Sequence, residues 1–225
     1  MKKAIALLLA LLLLASLVAF AACEKPADEA EETGKAGEET GETAKTGEWE
    51  LTQNGALTED AQSAFDKAMQ GLMGVNYTPL VLLAVREAEK AGYCLLCEAR
   101  VVYPNAQPYY AFVTVIGDEI ARIVAMDIGK VAESGEIADE APSSEPRMGG
   151  WTVNREAGVA AEGAVLHLAS QVVAGTNYCV LCRGEGWSLA FLYEDLNGHI
   201  ELTKSVSLDI SSLTAPADSV GSQSQ

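Results

Sequence analysis

Two Cys-x-x-Cys pairs offer the most obvious chemistry in this chain: Cys94 with Cys97, and Cys179 with Cys182. Thiolates at that spacing can hold zinc or cycle between dithiol and disulfide. Cys94 to Cys179 and Cys97 to Cys182 both span 85 residues, so an internal duplication also accounts for their number. Each pair falls in an expected strand, where residues i and i+3 face opposite sides. That opposes a local disulfide, because bridged Cα atoms lie only about 4.4–6.8 Å apart. Three readings stay open: buried structural thiols, disulfides within or between copies, or metal ligation by Cys94, Cys97, Cys179 and Cys182. The only histidines, His167 and His199, have no serine or cysteine nucleophile motif beside them, so a catalytic triad is not supported. The carboxylates gather in linkers. The expectation is a protein without catalytic residues or cofactor, not an enzyme.

The fifth cysteine has a different setting. Lys2 and Lys3 precede an apolar run from Ala4 to Phe20, and Ala21-Ala22 lead into Cys23. This order is that of a secretory signal peptide over residues 1–22 ending close to a lipobox, with Cys23 as the lipidation site. Phe20 departs from the usual aliphatic residue, and an uncleaved anchor is the competing reading. Both place the rest of the chain outside the cytoplasm, as an exported protein held at the membrane surface. Formal net charge is −17, and loss of the two lysines makes it −19. Such a chain repels phosphate backbones, which excludes nucleic acid as a partner.

Composition divides the remainder. Residues 23–46 form an acidic tether without large apolar side chains, too polar to offset ordering at about 1–2 kcal/mol per residue. Residues 131–148 are an acidic linker broken by Pro142 and Pro146, and residues 214–225 are a small polar tail. The two globular pieces, 47–130 and 149–213, share landmarks in order. Gly47-Glu48-Trp49 matches Gly149-Gly150-Trp151, and Tyr93–Cys97 matches Tyr178–Cys182. Ala111-Phe112 matches Ala190-Phe191, and Met126-Asp127-Ile128 matches Leu208-Asp209-Ile210. Four matches in register identify a duplication. From Trp49 to Cys94 is 45 residues but from Trp151 to Cys179 only 28, so the second copy lacks 17.

That missing stretch holds the clearest helix. Thr58 can cap it, Glu59 and Asp60 suit its positive end, and Ala61, Ala64, Phe65, Ala68, Met69 and Leu72 share a face. Gly71 and Gly74 offer an exit. Strands are expected near Trp49 and over 80–85, 93–103, 109–116 and 120–128, then over 164–171, 177–184, 187–193 and 199–208. Asn197-Gly198 signals a type I′ hairpin. Residues 154–162 could form at most about two turns of helix. The expected fold is α+β: two tandem units of one helix on an antiparallel sheet, the second with its helix truncated or missing. A sheet without its helix would expose an apolar face to another unit or to a second copy.

One motif is more specific. Gln171-Val172-Val173-Ala174-Gly175, followed by Thr176-Asn177-Tyr178, resembles the first inhibitory hairpin of the cystatin superfamily. The order of elements resembles that family across most of residues 47–213. The resemblance implies a wedge that enters the cleft of papain-like cysteine proteases, made from Gln171, Val172, Val173, Ala174 and Gly175 with Gly149-Gly150 as the N-terminal glycine. The first copy carries Arg86-Glu87-Ala88-Glu89-Lys90 at the motif position, and neither copy has the Pro-Trp of the family's second hairpin. The implied function is a surface-tethered binding protein, with a papain-like protease as partner. The alternatives are a non-inhibitory interaction module of the cell envelope and a metal or redox protein using the CxxC pairs.

Overall fold

The computed structural model describes residues 47–137 and 148–215. The expected signal peptide, lipidation site Cys23 and tether, the centre of the expected acidic linker and most of the expected tail lie outside the described residues. Each repeat folds as a five-stranded antiparallel meander. The first contains β1 (Trp49–Leu51), α1 (Glu59–Ala68), β2 (Val75–Arg86), β3 (Gly92–Val101), β4 (Tyr109–Ile116), β5 (Glu119–Met126) and α2 (Ile128–Ser134). The second contains β6 (Thr152–Val153), β7 (Ala164–Val173), β8 (Gly175–Arg183), β9 (Trp187–Glu194), β10 (Ile200–Ser207) and α3 (Ile210–Thr214).

The chain is therefore mostly β, and the expected α+β class is corrected. The reason lies in the strand sequences. An alternating strand needs one cover; a continuously apolar strand needs two. Tyr109–Ile116 is buried at every position but the last, and Cys94–Cys97 is fully buried. One ten-residue helix covers one face of the first sheet at most. The other face is covered by the second sheet, and one continuous core contains Leu83, Cys94, Leu96 and Phe112 with Leu168, Cys179, Leu181 and Phe191. Helix α1 lies on the outer face, where Ala61 and Phe65 meet Leu82, Leu95, Cys97, Val113 and Val115. Thr58 caps it by accepting the Ala61 N–H at 3.2 Å. Leu72 falls beyond the helix and is exposed.

The registers of the two sheets correspond closely. The β2–β3 ladder shifts between Pro79 and Val81 and again between Leu82 and Ala84. The β7–β8 ladder shifts at the matching places, Ala164/Leu166 and His167/Ala169. Leu96 pairs with Phe112, whereas its counterpart Leu181 pairs with Leu189. Phe112 thus corresponds to Leu189, and the sequence match of Ala111-Phe112 with Ala190-Phe191 is two residues out of register. A slip of two preserves the face of every side chain, so Phe112 and Phe191 both reach the core and the sequence pattern hides the error.

Paired polar contacts join the sheets, each made once in either direction. Tyr110, opposite Glu98, donates its hydroxyl to the Leu168 carbonyl at 2.7 Å; Trp187, opposite Arg183, donates Nε1 to the Leu83 carbonyl at 2.7 Å. Arg122 and Lys204 occupy corresponding places after the bulges of β5 and β10. Arg122 donates to the Ala215 carbonyl at the end of α3, and Lys204 donates to the Ala132 and Glu133 carbonyls at the end of α2. A cation from each repeat thus meets the negative end of the other repeat's terminal helix.

Other boundaries also differ from expectation. Met126 ends β5, and Asp127 caps α2 instead of continuing the strand, with Asp209 doing the same for α3. The expected linker therefore begins as helix, with Val131 buried, and Met148 at its end is buried too. The Asn197-Gly198 turn is not type I′. Asn105 is the one non-glycine residue at positive φ among the described residues, and Gly198 alone takes φ 81° after the Gly198 N–H to Asp195 carbonyl bond. Residues 154–163 form no helix, yet Val159 and Ala161 cover Val180, Cys182, Ala190 and Leu192 on the outer face of the second sheet.

Candidate functional site

The Gln171–Gly175 segment forms the β7–β8 hairpin, in register down to Val173 opposite Gly175. Only Ala174 separates the strands. A turn this tight requires Gly175, which sits at φ 133°, and a Cβ there would collide with the Glu194 carbonyl and the Tyr193 ring. Tyr193 donates its hydroxyl to the Ala174 carbonyl at 2.6 Å and ties the tip to β9. Val172 is 84% exposed and points to the outer face, while Val173 is 48% exposed on the inner side. Two branched apolar residues are thus held in solvent on a fixed tip.

Gln171 has a positioning role. Its amide Nε2 donates to the Gly149 carbonyl at 3.4 Å, and its Oε1 accepts from Asn177 at 3.1 Å. Gly149 lies beside Gly129 of α2 so closely that a Cβ on either would come within 2.7 Å of the other's Cα. The Gly149-Gly150 leg therefore joins the hairpin edge but is held against α2. The β9–β10 loop flanks the same edge and carries Leu196, 83% exposed. Its Asp195 carboxylate accepts the N–H groups of His199 at 2.9 Å and Asn197 at 2.8 Å, which lowers its pKa below the usual value. Leg, hairpin and second loop are thus brought to one end of the second sheet. Leu196 and Tyr193 were not singled out from the sequence; an apolar residue in a polar turn was the one signal available for Leu196.

Beneath this edge, between α2 and the inner face of the second sheet, lies a groove of about 360 Å³ lined by Trp151, Gln171, Asn177, Phe191, Thr203 and Lys204. Trp151 meets Phe191 edge-on with ring centroids 5.8 Å apart. In the first repeat the corresponding hairpin presents Glu87, Glu89 and Lys90 to solvent, and Arg86 lies over Trp49 at 5.5 Å. That edge is charged where the second is apolar.

The four cysteines are free and buried, and they do not converge. Cys94 and Cys179 face the core between the sheets, Cys97 lies beneath α1, and Cys182 lies beneath the 154–163 segment. Burial pushes the Cys94 thiol up to about 12 and raises Cys97, Cys179 and Cys182 as well. Thiols held neutral in apolar surroundings are poor nucleophiles and poor ligands. No group of three or more His, Cys, Asp or Glu among the described residues is placed to hold a metal ion. His167 pairs with Val180 on β8, and His199 is exposed in the β9–β10 loop. No helix among the described residues is long and apolar enough to cross a membrane. Protein-family models, curated proteins and solved structures were compared with the chain, and none matches it.

Proposed function

We propose that this chain is an exported, surface-tethered protein that acts by binding, with the Gln171–Gly175 hairpin as its recognition element. The observation that carries this reading is the exposure of Val172 and Val173 on a tip fixed by Gly175 and the Tyr193–Ala174 bond. Because the strands and their flanking contacts hold the tip in one conformation, binding it costs little ordering entropy. Its apolar character and width of one residue suit a narrow apolar cleft in a partner protein. The resemblance of the segment to the cystatin hairpin names papain-like cysteine proteases as the class to test.

The test is inhibition of papain by the purified mature chain beside a Val173→Asp variant. Wild type inhibits at micromolar concentration or below. The variant is weakened at least 100-fold, because burying an unpaired carboxylate in an apolar contact costs several kcal/mol. Absence of inhibition by both removes this protease class as the target. Equal inhibition by both removes the hairpin as the recognition element.

A further inference from the structure

The contacts between the repeats follow an approximate twofold relation. Tyr110 and Trp187 reach the Leu168 and Leu83 carbonyls, and Arg122 and Lys204 reach the ends of α3 and α2, each pair from corresponding places. The faces they join are alike as well: Leu96 opposite Phe112 in one sheet and Leu181 opposite Leu189 in the other enter the same core. Symmetric dimers are built this way, with one patch meeting its own copy on the other subunit. Here both patches belong to one chain, and all of these contacts lie within residues 47–137 and 148–215.

Charge breaks the twofold at one pair of places. The Thr52 N–H bonds the Leu83 carbonyl and the Asn154 N–H bonds the Leu168 carbonyl, so Thr52 corresponds to Asn154 and the next residue, Gln53, to Arg155. Glu98 lies opposite Tyr110 and Arg183 opposite Trp187, so these two also correspond. Across the interface Arg155 Nη2 stands 3.5 Å from Glu98 Oε2. At the matching place Arg183 donates Nε to the Thr52 carbonyl at 2.8 Å. Two copies of the second repeat packed in this manner would set Arg183 beside Arg155 twice, cation against cation. Two copies of the first would set Glu98 beside the neutral Gln53 and lose the ion pair. Only the unlike pair brings opposite charges together.

We propose that the inter-repeat face is a docking surface for the unlike repeat of a second copy, so that two chains exchange repeats and re-form both sandwiches between them. The length of the connection decides between one chain closed on itself and the exchanged pair. Gly149 touches Gly129 at the start of α2, whereas Ile137 follows the end of α2 and lies beside Val206 and Leu213. Helix α2 has seven residues and is about 10 Å long, so the two ends to be joined stand at least about that far apart. The ten residues 138–147 reach roughly 35 Å when extended, ample for closure within one chain. Without them a single peptide link spans about 3.8 Å, too little for closure. Two chains side by side meet that limit, because Ile137 of one sandwich can then adjoin Met148 of the other. The exchanged pair carries two Gln171–Gly175 hairpins, and the proposal does not depend on what they bind.

Two forms of the mature chain test this. The first lacks residues 138–147 and is examined by sedimentation velocity and circular dichroism. It sediments as a dimer with the far-ultraviolet spectrum of the native chain; a folded monomer overturns exchange. The second carries a site for a sequence-specific protease after Ser144 and is cut while folded, which decides the matter whether or not the shortened chain folds. Its halves stay together after cutting. Unfolded in urea and diluted, they re-form the native spectrum with a midpoint that rises with protein concentration. Arg155→Glu weakens re-formation at least threefold at low salt, and adding Glu98→Arg restores it. Halves that separate on cutting, fail to re-form, or pair like with like overturn the proposal. Equal re-formation by the unaltered chain and Arg155→Glu overturns selection of the unlike repeat by charge.

Discussion

The CxxC pairs left buried thiols, disulfides and metal ligation open, and the strand geometry that already opposed a local disulfide places the members of each pair on opposite faces, in different apolar clusters. Their measurable property is suppressed ionisation. A buried thiol has a folded pKa above its unfolded value, so its stabilising effect is complete below about pH 8.5 and is lost as pH rises toward the folded value. At pH 10 each of Cys94, Cys97 and Cys179 should cost roughly 2 kcal/mol of stability relative to pH 7, since one pKa unit is about 1.4 kcal/mol. Urea unfolding from pH 7 to 10.5 checks this, and Cys94→Ala should flatten the alkaline decline. A midpoint independent of pH to 10 would contradict buried neutral thiols. The burial-raised hydroxyls of Tyr77 and Tyr110 extend the same decline at higher pH.

At the scale of elements, α1 was legible because a cap, a charged first turn and a 3.6-residue apolar period all agreed. Thr58→Ala removes the side-chain acceptor for the Ala61 N–H. It should cost about 1 kcal/mol by thermal or urea unfolding. A change below about 0.3 kcal/mol would mean that packing of Phe65, not the cap, holds the helix. The short helices α2 and α3 were not legible. Met-Asp-Ile and Leu-Asp-Ile read as strand ends, and only the structure shows the aspartates as caps and the isoleucines as buried first residues of helices. A helix of seven or five residues has too little periodicity to register, and it forms here because its apolar face and its carbonyl end are both met by the other repeat.

For the whole molecule, the Tyr110–Leu168 and Trp187–Leu83 bonds clasp two sheets that share one core. Replacing either donor removes one of the bonds to its carbonyl, which still accepts a backbone N–H, from Asn154 at Leu168 and from Thr52 at Leu83. Tyr110→Phe should therefore cost about 0.5–1.5 kcal/mol, the net value of one hydrogen bond, and Trp187→Phe more because the smaller ring also leaves a void. Because the core is continuous, both variants should still unfold in a single transition, with tryptophan fluorescence and far-ultraviolet circular dichroism coincident. Two separated transitions would show that the repeats are independent domains and would contradict a shared core.

The sequence by itself determined the duplication landmarks, the capped helix, the approximate positions of most strands and the special role of Gly175, because each is written in local periodicity or turn chemistry. It also placed the Gln171–Gly175 segment on a hairpin. It did not determine how the second faces of the sheets are covered. A continuously apolar strand such as Tyr109–Ile116 states that both faces are buried, but not by what. That was decided by tertiary packing, in which each repeat supplies the other with a sheet face, a hydrogen-bond donor and a cation for its terminal helix. Contacts of this kind join residues 58 to 104 positions apart, such as Tyr110 to Leu168 and Trp187 to Leu83. No local pattern records them, because their partners meet only after both meanders have formed.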